Sequence, residues 1–310
     1  MNAVYIEITD VCNLNCSFCP CGKANSSASS HSTNKPREFM STELFERCLT
    51  ESATIAENVY FHVLGEPTLH PGFGLFLKKL EATSLKLNLT TNGTTIARTG
   101  KLILASSAVR QVNFSTHAYA ELPQDEATRH LQDVLDFCKM ANAIRPDLYI
   151  NLRLWNVGDY ASDAWNRTLL AKVNETFGND SDNTESGTQI SLEHFCSRHK
   201  SFNVTGRIYL HQDSRFEWPE LGERRKTRDE RIATGTCRAL DTHVAILHDG
   251  RVVACCLDHS GQITLGRIQK QNLAEILESP AAKSLREGFE KHELRHPLCQ
   301  SCSFCKRFGK

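Results

Sequence analysis

Three cysteines near the N-terminus have a spacing that suits a metal centre. Cys12, Cys16 and Cys19 follow the pattern C-x3-C-x2-C directly after an apolar stretch, and Cys21 lies two residues further on. Three thiolates on one short loop can hold three irons of a 4Fe–4S cluster and leave the fourth iron open. An open iron can bind a small chelating molecule, as an open position on zinc binds substrate. The alternative is a zinc site completed by Cys21 or His31, although zinc ligands usually come as paired C-x2-C units.

A second group of cysteines lies close to the C-terminus. Cys299, Cys302 and Cys305 follow the pattern C-x2-C-x2-C, and the adjacent pair Cys255 and Cys256 precedes them. The chain has 13 cysteines in all. In a reducing compartment, clustered thiols are more often metal ligands or catalysts than disulfides. We therefore expect two separate metal-binding groups.

Length and composition set broad limits on the kind of protein. The chain has 310 residues, 40% of them hydrophobic, enough for one large α/β domain with a small appendage. Lys+Arg and Asp+Glu both number 36, so the net charge gives no strong nucleic-acid signal and no sign of an anionic membrane partner. The sequence shows no secretion signal and nothing near the roughly 20 apolar residues of a membrane span. We predict a cytoplasmic protein without a membrane partner.

The elements that must position the first cysteines alternate between strands and helices. Strands are predicted over 3–9, 58–65, 85–93, 111–118, 148–156 and 203–211, and helices over 41–53, 73–82, 95–106, 127–144 and from the fifth strand to about 177. Such alternation implies parallel β/α units. Six units are too few for a complete eight-fold barrel. The predicted fold class is therefore α/β, a partial (β/α)6 TIM-like barrel.

Polar motifs follow four of the predicted strands at the same end. They are the cysteine loop after the first strand, GEP (65–67) after the second, TNG (91–93) after the third and STHA (115–118) at the fourth. Ligands of such sheets bind at the carboxyl ends of strands, so this coincidence predicts an active site there. GEP and Asn92-Gly93 also have a structural interpretation as ordinary turns. Arg153 lies inside an apolar strand, where its charge needs a partner.

We predict three segments: the barrel over 1–215, a charged linker over 216–234 and a small domain over 235–310. In the small domain, residues 245–256 form a predicted hairpin with Asp249-Gly250 at its turn. Two helices are predicted after it, over 272–279 and 281–292.

The motifs of the first segment resemble the signature of radical S-adenosylmethionine (SAM) enzymes. The matching residues are Cys12, Cys16 and Cys19, Phe18 just before the last cysteine, GEP, TTNG (90–93), Ser115 on the fourth strand and Arg153 on the fifth. The resemblance implies that the three cysteines hold the catalytic 4Fe–4S cluster, while the amino and carboxylate groups of SAM bind the open iron. The SAM-binding residues that it implies are Phe18, Gly65, Glu66, Asn92, Ser115 and Arg153.

The last segment resembles the auxiliary-cluster domain of the SPASM/twitch subfamily. The matching pieces are Cys237, DGRVVACCLD (249–258), ITLGRI (263–268), a helix and LCQSCSFC (298–305). The resemblance implies one auxiliary 4Fe–4S cluster, with the ligands Cys237, Cys255, Cys299 and Cys302 and the alternates Cys256 and Cys305. A four-cysteine zinc site would use the same ligands. Asp258 is a candidate catalytic base, although an aspartate after a hairpin strand more often caps a turn.

The resemblance implies an oxidoreductase or lyase-type enzyme. Its reduced cluster passes one electron to SAM, which splits into methionine and a 5′-deoxyadenosyl radical, and the radical abstracts a substrate hydrogen. Such an enzyme needs an electron donor such as flavodoxin or ferredoxin. The alternative is a non-catalytic, metal-stabilised binding or electron-transfer protein.

The sequence leaves the substrate open among a small molecule, a nucleoside and a peptide. The first strand begins at residue 3, which leaves no room for the N-terminal peptide-binding domain of peptide-maturing relatives and makes a peptide the less favoured choice. Candidate pocket residues are His117, Trp155, Asn156, His211, Glu217 and Trp218.

Overall fold

A computed structural model describes residues 1–21, 37–178, 200–215, 217–219 and 232–308 of the chain. Most of the predicted linker, 216–234, lies outside these residues, as does the alternative zinc ligand His31. The chain forms two compact units. The cysteine unit comprises Met1–Lys86 and Phe216–Lys310, and the sheet unit comprises Leu87–Arg215. Both groups of cysteines therefore belong to one unit, although they lie at opposite ends of the sequence.

Strands and helices alternate along the first part of the chain, as predicted. The strands are β1 (Ala3–Ile6), β2 (Asn58–Phe61), β3 (Lys86–Thr91), β4 (Val109–Phe114), β5 (Tyr149–Leu154), β6 (Ser201–Thr205), β7 (Ile208–Gln212), β8 (His243–Ile246), β9 (Arg251–Val253) and β10 (Thr264–Arg267). The α-helices are α1 (Thr42–Ala53), α2 (Phe73–Glu81), α3 (Ile96–Ala105), α4 (Gln124–Ile144), α5 (Asp163–Phe177), α6 (Leu273–Leu277), α7 (Pro280–Glu290) and α8 (Pro297–Ser301). The helix α1 begins where it was predicted, because the Ser41 side chain accepts a hydrogen bond from the Leu44 N–H. Among the described residues, no helix has both the length and the apolar character needed to cross a membrane.

In the cysteine unit, the C-terminal segment is joined to the strand that carries the first cysteines. β1 pairs in parallel with β2 on one side and with β8 on the other. β9 and β10 continue the sheet in antiparallel order beyond β8. The predicted hairpin is confirmed, with Gly250 at φ +82° in the turn between β8 and β9. Helices α1 and α2 cover this sheet through stacked rings of Phe45 and Phe76, whose centroids are 3.8 Å apart.

In the sheet unit, β3, β4, β5 and β7 form a parallel sheet, and β6 adds an antiparallel edge beside β7. The prediction of a single strand over 203–211 is wrong. Gly206, at φ +50°, makes a turn whose carbonyl accepts a hydrogen bond from the Asn203 side chain, so the segment forms a hairpin. The second strand of that hairpin, β7, takes the place beside β5. The strands of neither unit close into a ring among the described residues, which agrees with the predicted α/β class and a partial barrel.

Candidate active site and metal centres

The first cysteine loop begins directly after β1 and is fixed by hydrogen bonds of its own backbone. The Val11 N–H donates to the Thr9 hydroxyl over 3.0 Å. Cys12, Cys16 and Cys19 follow and are half-buried. The Cys19 N–H donates to the Cys16 carbonyl over 3.1 Å, which folds the end of the loop back on itself. The loop thus carries three accessible thiols within one tight turn of chain.

The thiols of this loop influence one another electrostatically. Burial raises the pKa of Cys12 to about 11, and the nearby Glu66 carboxylate adds to the effect. A hydrogen bond from Cys21 lowers the pKa of Cys19, whereas burial and the neighbouring thiols Cys16 and Cys12 oppose this. Burial and the neighbouring like charges disfavour the ionised form of these sulfurs. Bound iron ions would offset this cost, because they supply positive charge next to the thiolates. The donor set therefore fits an iron–sulfur cluster.

Cys21, the alternative zinc ligand, is buried in the structure. Its side chain is 4% exposed and the thiol donates to the Asp10 carbonyl over 3.7 Å. Among the described residues, no three Cys, His, Asp or Glu side chains are placed to bind one metal ion.

The GEP turn lies against the start of the cysteine loop. Gly65 has φ +73°, and a Cβ atom there would lie 2.2 Å from the Thr9 carbonyl oxygen. The Glu66 N–H donates to the Val11 carbonyl over 2.7 Å. The Glu66 carboxylate is buried and accepts hydrogen bonds from the backbone and hydroxyl of Thr68, so it is not a solvated turn residue. Only glycine permits this close approach of the two loops.

A buried ion pair links the β1 strand to the β8–β9 hairpin. The Glu7 carboxylate, 1% exposed, accepts hydrogen bonds from the Leu64 N–H and from the His248 N–H and ring. The other ring nitrogen of His248 lies 3.9 Å from Asp10, just before the cysteine loop. Burial alone would lower the pKa of His248, but the hydrogen bond and charge of Glu7 raise it above its ordinary value. The motifs do not predict this pair. The glutamate inside the apolar run AVYIEIT was a signal that a buried charge needs a partner.

In the sheet unit, the TNG motif forms the turn that follows β3. The Asn92 side-chain oxygen accepts hydrogen bonds from the Thr94 N–H (3.0 Å) and hydroxyl (2.8 Å), and its carbonyl accepts one from the Tyr119 hydroxyl. Gly93 has φ +77°, as such turns require. Ser115 follows β4, and its N–H donates to the carbonyl at the end of β3 over 2.9 Å. Asn92 and Ser115 are therefore held at the same end of neighbouring strands.

Arg153 lies near the end of β5 beside aromatic side chains. Its guanidinium carbon lies 4.5 Å from the centre of the Trp155 ring, a cation–π contact that accounts for a charge in an apolar strand. Its carbonyl accepts a hydrogen bond from Thr116, and the His117 ring lies 3.2 Å away. Burial lowers the pKa of His117 to about 4, so this imidazole is neutral at pH 7; the hydrogen bond to the Arg153 carbonyl opposes the lowering and the Arg153 charge adds to it. His211 lies opposite Arg153 in the register of β5 and β7.

The other predicted pocket residues are divided between the two units. Asn156 follows β5 in the sheet unit, and its side chain is fully buried. Glu217 and Trp218 belong to the cysteine unit. Trp218 is 8% exposed and packs edge-on against the His259 ring, with centroids 5.5 Å apart.

The C-terminal cysteines come from three separate segments and meet in the cysteine unit. The segments contribute Cys237, the pair 255–256 and the run 299–305. Burial is the largest influence on the pKa of most of these thiols, and Cys237 acts on several of them. Burial raises the pKa of Cys256 and of Cys299 to about 12. Such a dense group of thiols, half-buried except for the buried Cys305, again fits a cluster whose irons supply positive charge.

Neighbouring cysteines of this group differ in their surroundings. Cys305 is buried, and its thiol donates to the Cys302 carbonyl over 2.9 Å. A hydrogen bond between the free thiols of Cys305 and Cys302 lowers the pKa of Cys302 to about 6. Cys256 packs against an apolar cluster of Val63, Ala245, Leu247 and Val253 and hydrogen-bonds Tyr5 of β1. Burial raises the pKa of Cys255 well above its ordinary value, with Cys256, Cys237 and Cys299 adding to the effect.

Asp258 lies directly after these cysteines and is 1% exposed. Its two carboxylate oxygens accept hydrogen bonds from the Gln262 N–H (2.8 Å) and the Ile263 N–H (2.6 Å). Burial raises the pKa of Asp258, while these backbone donors oppose the rise. The contacts are those of a turn cap, the structural interpretation that the sequence left open. Its role as a base stays a prediction.

Comparison with known families identifies the class of protein. The family described as "Radical SAM superfamily" matches residues 6–154, and SPASM, described as "Iron-sulfur cluster-binding domain", matches 237–306. The chain therefore belongs to the radical SAM superfamily and carries a SPASM domain, as predicted. Members of this superfamily are enzymes. The first domain implies a 4Fe–4S cluster and SAM, and the second implies auxiliary iron–sulfur binding.

Solved structures with the same fold include three that contain SAM (AdoMet). SuiB of Streptococcus suis has a TM-score of 0.59 at 18% identity, covering 98% of this chain and 71% of that chain. anSMEcpe, with AdoMet and a peptide, has a TM-score of 0.54 at 15% identity, covering 98% and 87%. BtrN, with AdoMet and 2-DOIA, has a TM-score of 0.52 at 14% identity, covering 98% and 93%. At these identities the likeness shows a shared fold.

A similar curated protein is the tungsten-containing aldehyde ferredoxin oxidoreductase cofactor-modifying protein of Pyrococcus furiosus. It is 31% identical over 117 residues, which are 37% of this chain and 30% of that protein. The match thus spans less than a third of the relative's length.

Proposed function

We propose that this chain reductively cleaves SAM and uses the resulting radical to abstract hydrogen from a small molecule, a nucleoside or a peptide. The observation that carries the proposal is the three-thiol loop at the end of β1, against which the GEP turn is fastened by the Glu66–Val11 hydrogen bond. The bound cluster would supply one electron to the sulfonium of SAM, giving methionine and a 5′-deoxyadenosyl radical that takes a substrate hydrogen atom.

The residues of the chain bind and orient the reactants. Cys12, Cys16 and Cys19 hold the catalytic cluster. The backbone at Gly65 and Glu66 binds the amino group of methionine. Further SAM contacts come from Phe18, Asn92, Ser115 and Arg153, the last through a guanidinium suited to a carboxylate.

The auxiliary cluster is assigned to Cys237, Cys255, Cys299 and Cys302. Their convergence from three segments and the raised pKa of the half-buried Cys255 and Cys299 support the assignment, because poorly solvated thiolates are stabilised by the positive charge of bound iron. Four protein ligands leave no open iron, which suits electron transfer to or from the substrate. The proposed boundaries are 1–215 for the barrel, 216–234 for the linker and 235–310 for the auxiliary domain, and the family matches over 6–154 and 237–306 support them.

An electron donor such as flavodoxin or ferredoxin and a cytoplasmic location complete the proposal. Both follow from the chemistry of the site, since clustered thiols stay reduced in the cytoplasm and the cluster must be re-reduced for each cleavage. Among the relatives, SuiB has been solved with its precursor peptide SuiA (TM-score 0.54) and BtrN with 2-DOIA. A peptide and a small molecule are thus both represented among proteins of this fold.

Anaerobic reconstitution with iron and sulfide, followed by dithionite and SAM, tests the proposal. We expect about eight irons per chain and the formation of 5′-deoxyadenosine. Replacing Cys12, Cys16 and Cys19 together by alanine should abolish cleavage and leave about four irons. Cys138→Ala is the matched control, because this buried cysteine lies in α4 of the sheet unit. Stoichiometric zinc without SAM cleavage would instead identify a metal-stabilised binding or electron-transfer protein.

A further inference from the structure

The parallel sheet of the sheet unit has one apolar and one polar face. Side chains alternate along β3, β4, β5 and β7, and the face packed on the helices is buried and apolar, as at Val112 and Leu152. The other face carries Thr90, Gln111, Asn113, Asn151, Arg153, Tyr209 and His211. Parallel sheets are normally covered on both faces and are apolar on both. A polar second face therefore indicates contact with water or with a polar ligand.

The strand register brings four of these polar side chains into one row. Thr90 pairs with Asn113, Asn113 with Asn151, and Asn151 with Tyr209. Paired residues of neighbouring parallel strands point to the same side of the sheet. Thr90, Asn151 and Tyr209 are half-buried, so solvent reaches this row, whereas Asn113 at its centre is fully buried.

The hydrogen bonds of Asn113 fix the orientation of its neighbours. Its amide nitrogen donates to the Leu89 carbonyl over 3.2 Å, and a carbonyl oxygen can only accept. The amide oxygen of Asn113 must then point the other way. It accepts hydrogen bonds from the amide nitrogens of Gln111 (2.8 Å) and Asn151 (2.9 Å). Neither neighbouring amide can be flipped without bringing two oxygens together.

This orientation turns two amide oxygens outward. With their nitrogens held by Asn113, the oxygens of Gln111 and Asn151 have no hydrogen-bond partner among the described residues. Both residues are half-buried and open to a ligand. Asn88, in register with Gln111, is fully buried, and its amide nitrogen has no partner in the described part of the chain. The face thus offers fixed acceptors beside a buried donor.

We infer that this face binds a small polyhydroxylated substrate, an inference that rests on the proposed function and specifies its substrate class. Hydroxyl groups donate to the oxygens of Gln111 and Asn151 and accept from the remaining N–H of each amide. A carboxylate or phosphate could pair with Arg153 on the same face but has no hydrogen to donate to the outward oxygens of Gln111 and Asn151, and an apolar molecule would leave all of these groups unpaired. Asn113 is a positioning residue, because it acts through the two amides.

The test measures the binding of matched probes to the reconstituted full-length protein with SAM and without reductant. Glucose and myo-inositol carry hydroxyls, whereas cyclohexanecarboxylate and trialanine do not. Isothermal titration calorimetry should show saturable binding of glucose, myo-inositol or both. It should show no binding of cyclohexanecarboxylate or trialanine. Gln111→Met, which keeps the side-chain volume, and Asn151→Leu should each weaken that binding about tenfold, the loss of one hydrogen bond to a buried partner. Gln132→Met, on an exposed face of α4, is the control and should leave binding unchanged.

A second variant separates positioning from folding. Asn113→Leu frees both amides to rotate and should weaken binding by more than either single change. Amide NMR signals of Gln111 and Asn151 report the lost hydrogen bonds directly, in a protein whose near-ultraviolet circular dichroism shows intact packing. If Asn113→Leu folds and binds the hydroxylated probe as the wild type does, the orientation argument is wrong.

The inference and the proposed function fail separately. Formation of 5′-deoxyadenosine with no binding of either hydroxylated probe overturns the inference alone. Binding of trialanine in their place also overturns it and identifies a peptide substrate. Binding of a hydroxylated probe by a protein that never cleaves SAM supports the polar site and overturns the proposed enzyme.

Discussion

The two groups of cysteines reach their metal-binding arrangement by different routes. Cys12, Cys16 and Cys19 lie on one continuous loop, and their spacing alone brings the three thiols together. The C-terminal thiols come from three segments, and they meet only when the chain folds, with β8 joined to the sheet beside β1. The first site is therefore specified locally, whereas the second depends on the folding of the whole cysteine unit.

The two groups of thiols also differ in the residues that surround them. The first loop needs an exposed, open position, and its neighbours are backbone groups of the GEP turn. The C-terminal thiols are half-buried as well, except for the buried Cys305, but Cys256 packs against an apolar cluster. Changes at the first site should therefore alter cofactor chemistry, and changes at the second should alter iron content and stability.

The largest effect is expected from Gly65→Ala. The added Cβ would lie 2.2 Å from the Thr9 oxygen and must displace the start of the cysteine loop. We expect SAM cleavage to fall about 100-fold, which corresponds to about 2.7 kcal/mol. Gly158→Ala is the matched control, because Gly158 also has a positive φ (+89°) but has nothing within 4 Å of its Cβ position. Equal effects of the two variants on 5′-deoxyadenosine formation would show that the backbone strain of a non-glycine residue at positive φ lowers the activity, and that the approach of Gly65 to Thr9 does not.

The second prediction compares the adjacent cysteines of the auxiliary site. Cys255→Ala should lose about four irons per chain, since this thiol is assigned as a cluster ligand. Cys256→Ala should keep them, because Cys256 packs against Tyr5 and the apolar cluster. Iron analysis of the reconstituted variants measures the difference, with Cys48→Ala in α1 as the control. The reverse result would exchange the roles of the two cysteines.

The third prediction concerns the buried Glu7–His248 pair, which connects the strand before the first cysteine loop to the β8–β9 hairpin. His248→Gln should lower the free energy of unfolding by about 3 kcal/mol at pH 6, because it leaves Glu7 buried without a cation. The groups that face His248 are the carboxylates of Glu7, Asp10 and Asp249, and together they raise its pKa. A raised pKa stabilises the fold fully below the ordinary value near 6.5, and this stability is lost as the pH rises through the raised value.

Urea unfolding of wild type and variant between pH 5.5 and 9 measures this dependence. The gap between the two proteins should narrow as the pH rises. His130→Gln is the control. His130 and Glu126 on α4 are 3.5 Å apart, and the glutamate is half-exposed. This pair should therefore contribute less than about 1 kcal/mol to the free energy of unfolding. A gap that does not change with pH would mean that the pKa of His248 is the same in the folded and the unfolded protein.

The smallest effect is expected from Asp258→Asn. Asparagine keeps one acceptor and loses the other, so one backbone N–H of the loop at 262–263 loses its partner. We expect a loss of about 1–2 kcal/mol in stability, seen as a lower melting temperature. A loss of substrate turnover at unchanged stability would instead support the predicted catalytic base.

Much of the fold was predictable because hydrophobic periodicity reflects secondary structure directly. The alternation of strands and helices, the helix predicted from residue 41 and the Asp249-Gly250 turn all appeared as predicted. The single strand predicted over 203–211 was wrong, because the turn at Gly206 interrupts an otherwise apolar run. One glycine inside a strand pattern can mark either a bulge or a turn, and only packing distinguishes them.

Some features of the site had a signal in the sequence that the motifs overshadowed. The polar face of the sheet unit follows from the alternating residues in LNLTT, VNFS and INLRL, a pattern unusual for parallel strands. The partners of Glu7 and the orientation of the amides around Asn113 had no such signal, because they depend on contacts between residues far apart in the chain.

The sequence by itself determined the chemistry of the first cysteine loop, since three thiols within eight residues converge whatever the rest of the chain does. It also determined the family, through motifs that recur in a fixed order. The tertiary structure decided what lies around those motifs: the burial of Cys21, the approach of Gly65 to Thr9, the meeting of C-terminal thiols and the fixed amides beside Asn113. Spacing along the chain sets local geometry, but burial and hydrogen-bond direction depend on which distant segments pack together.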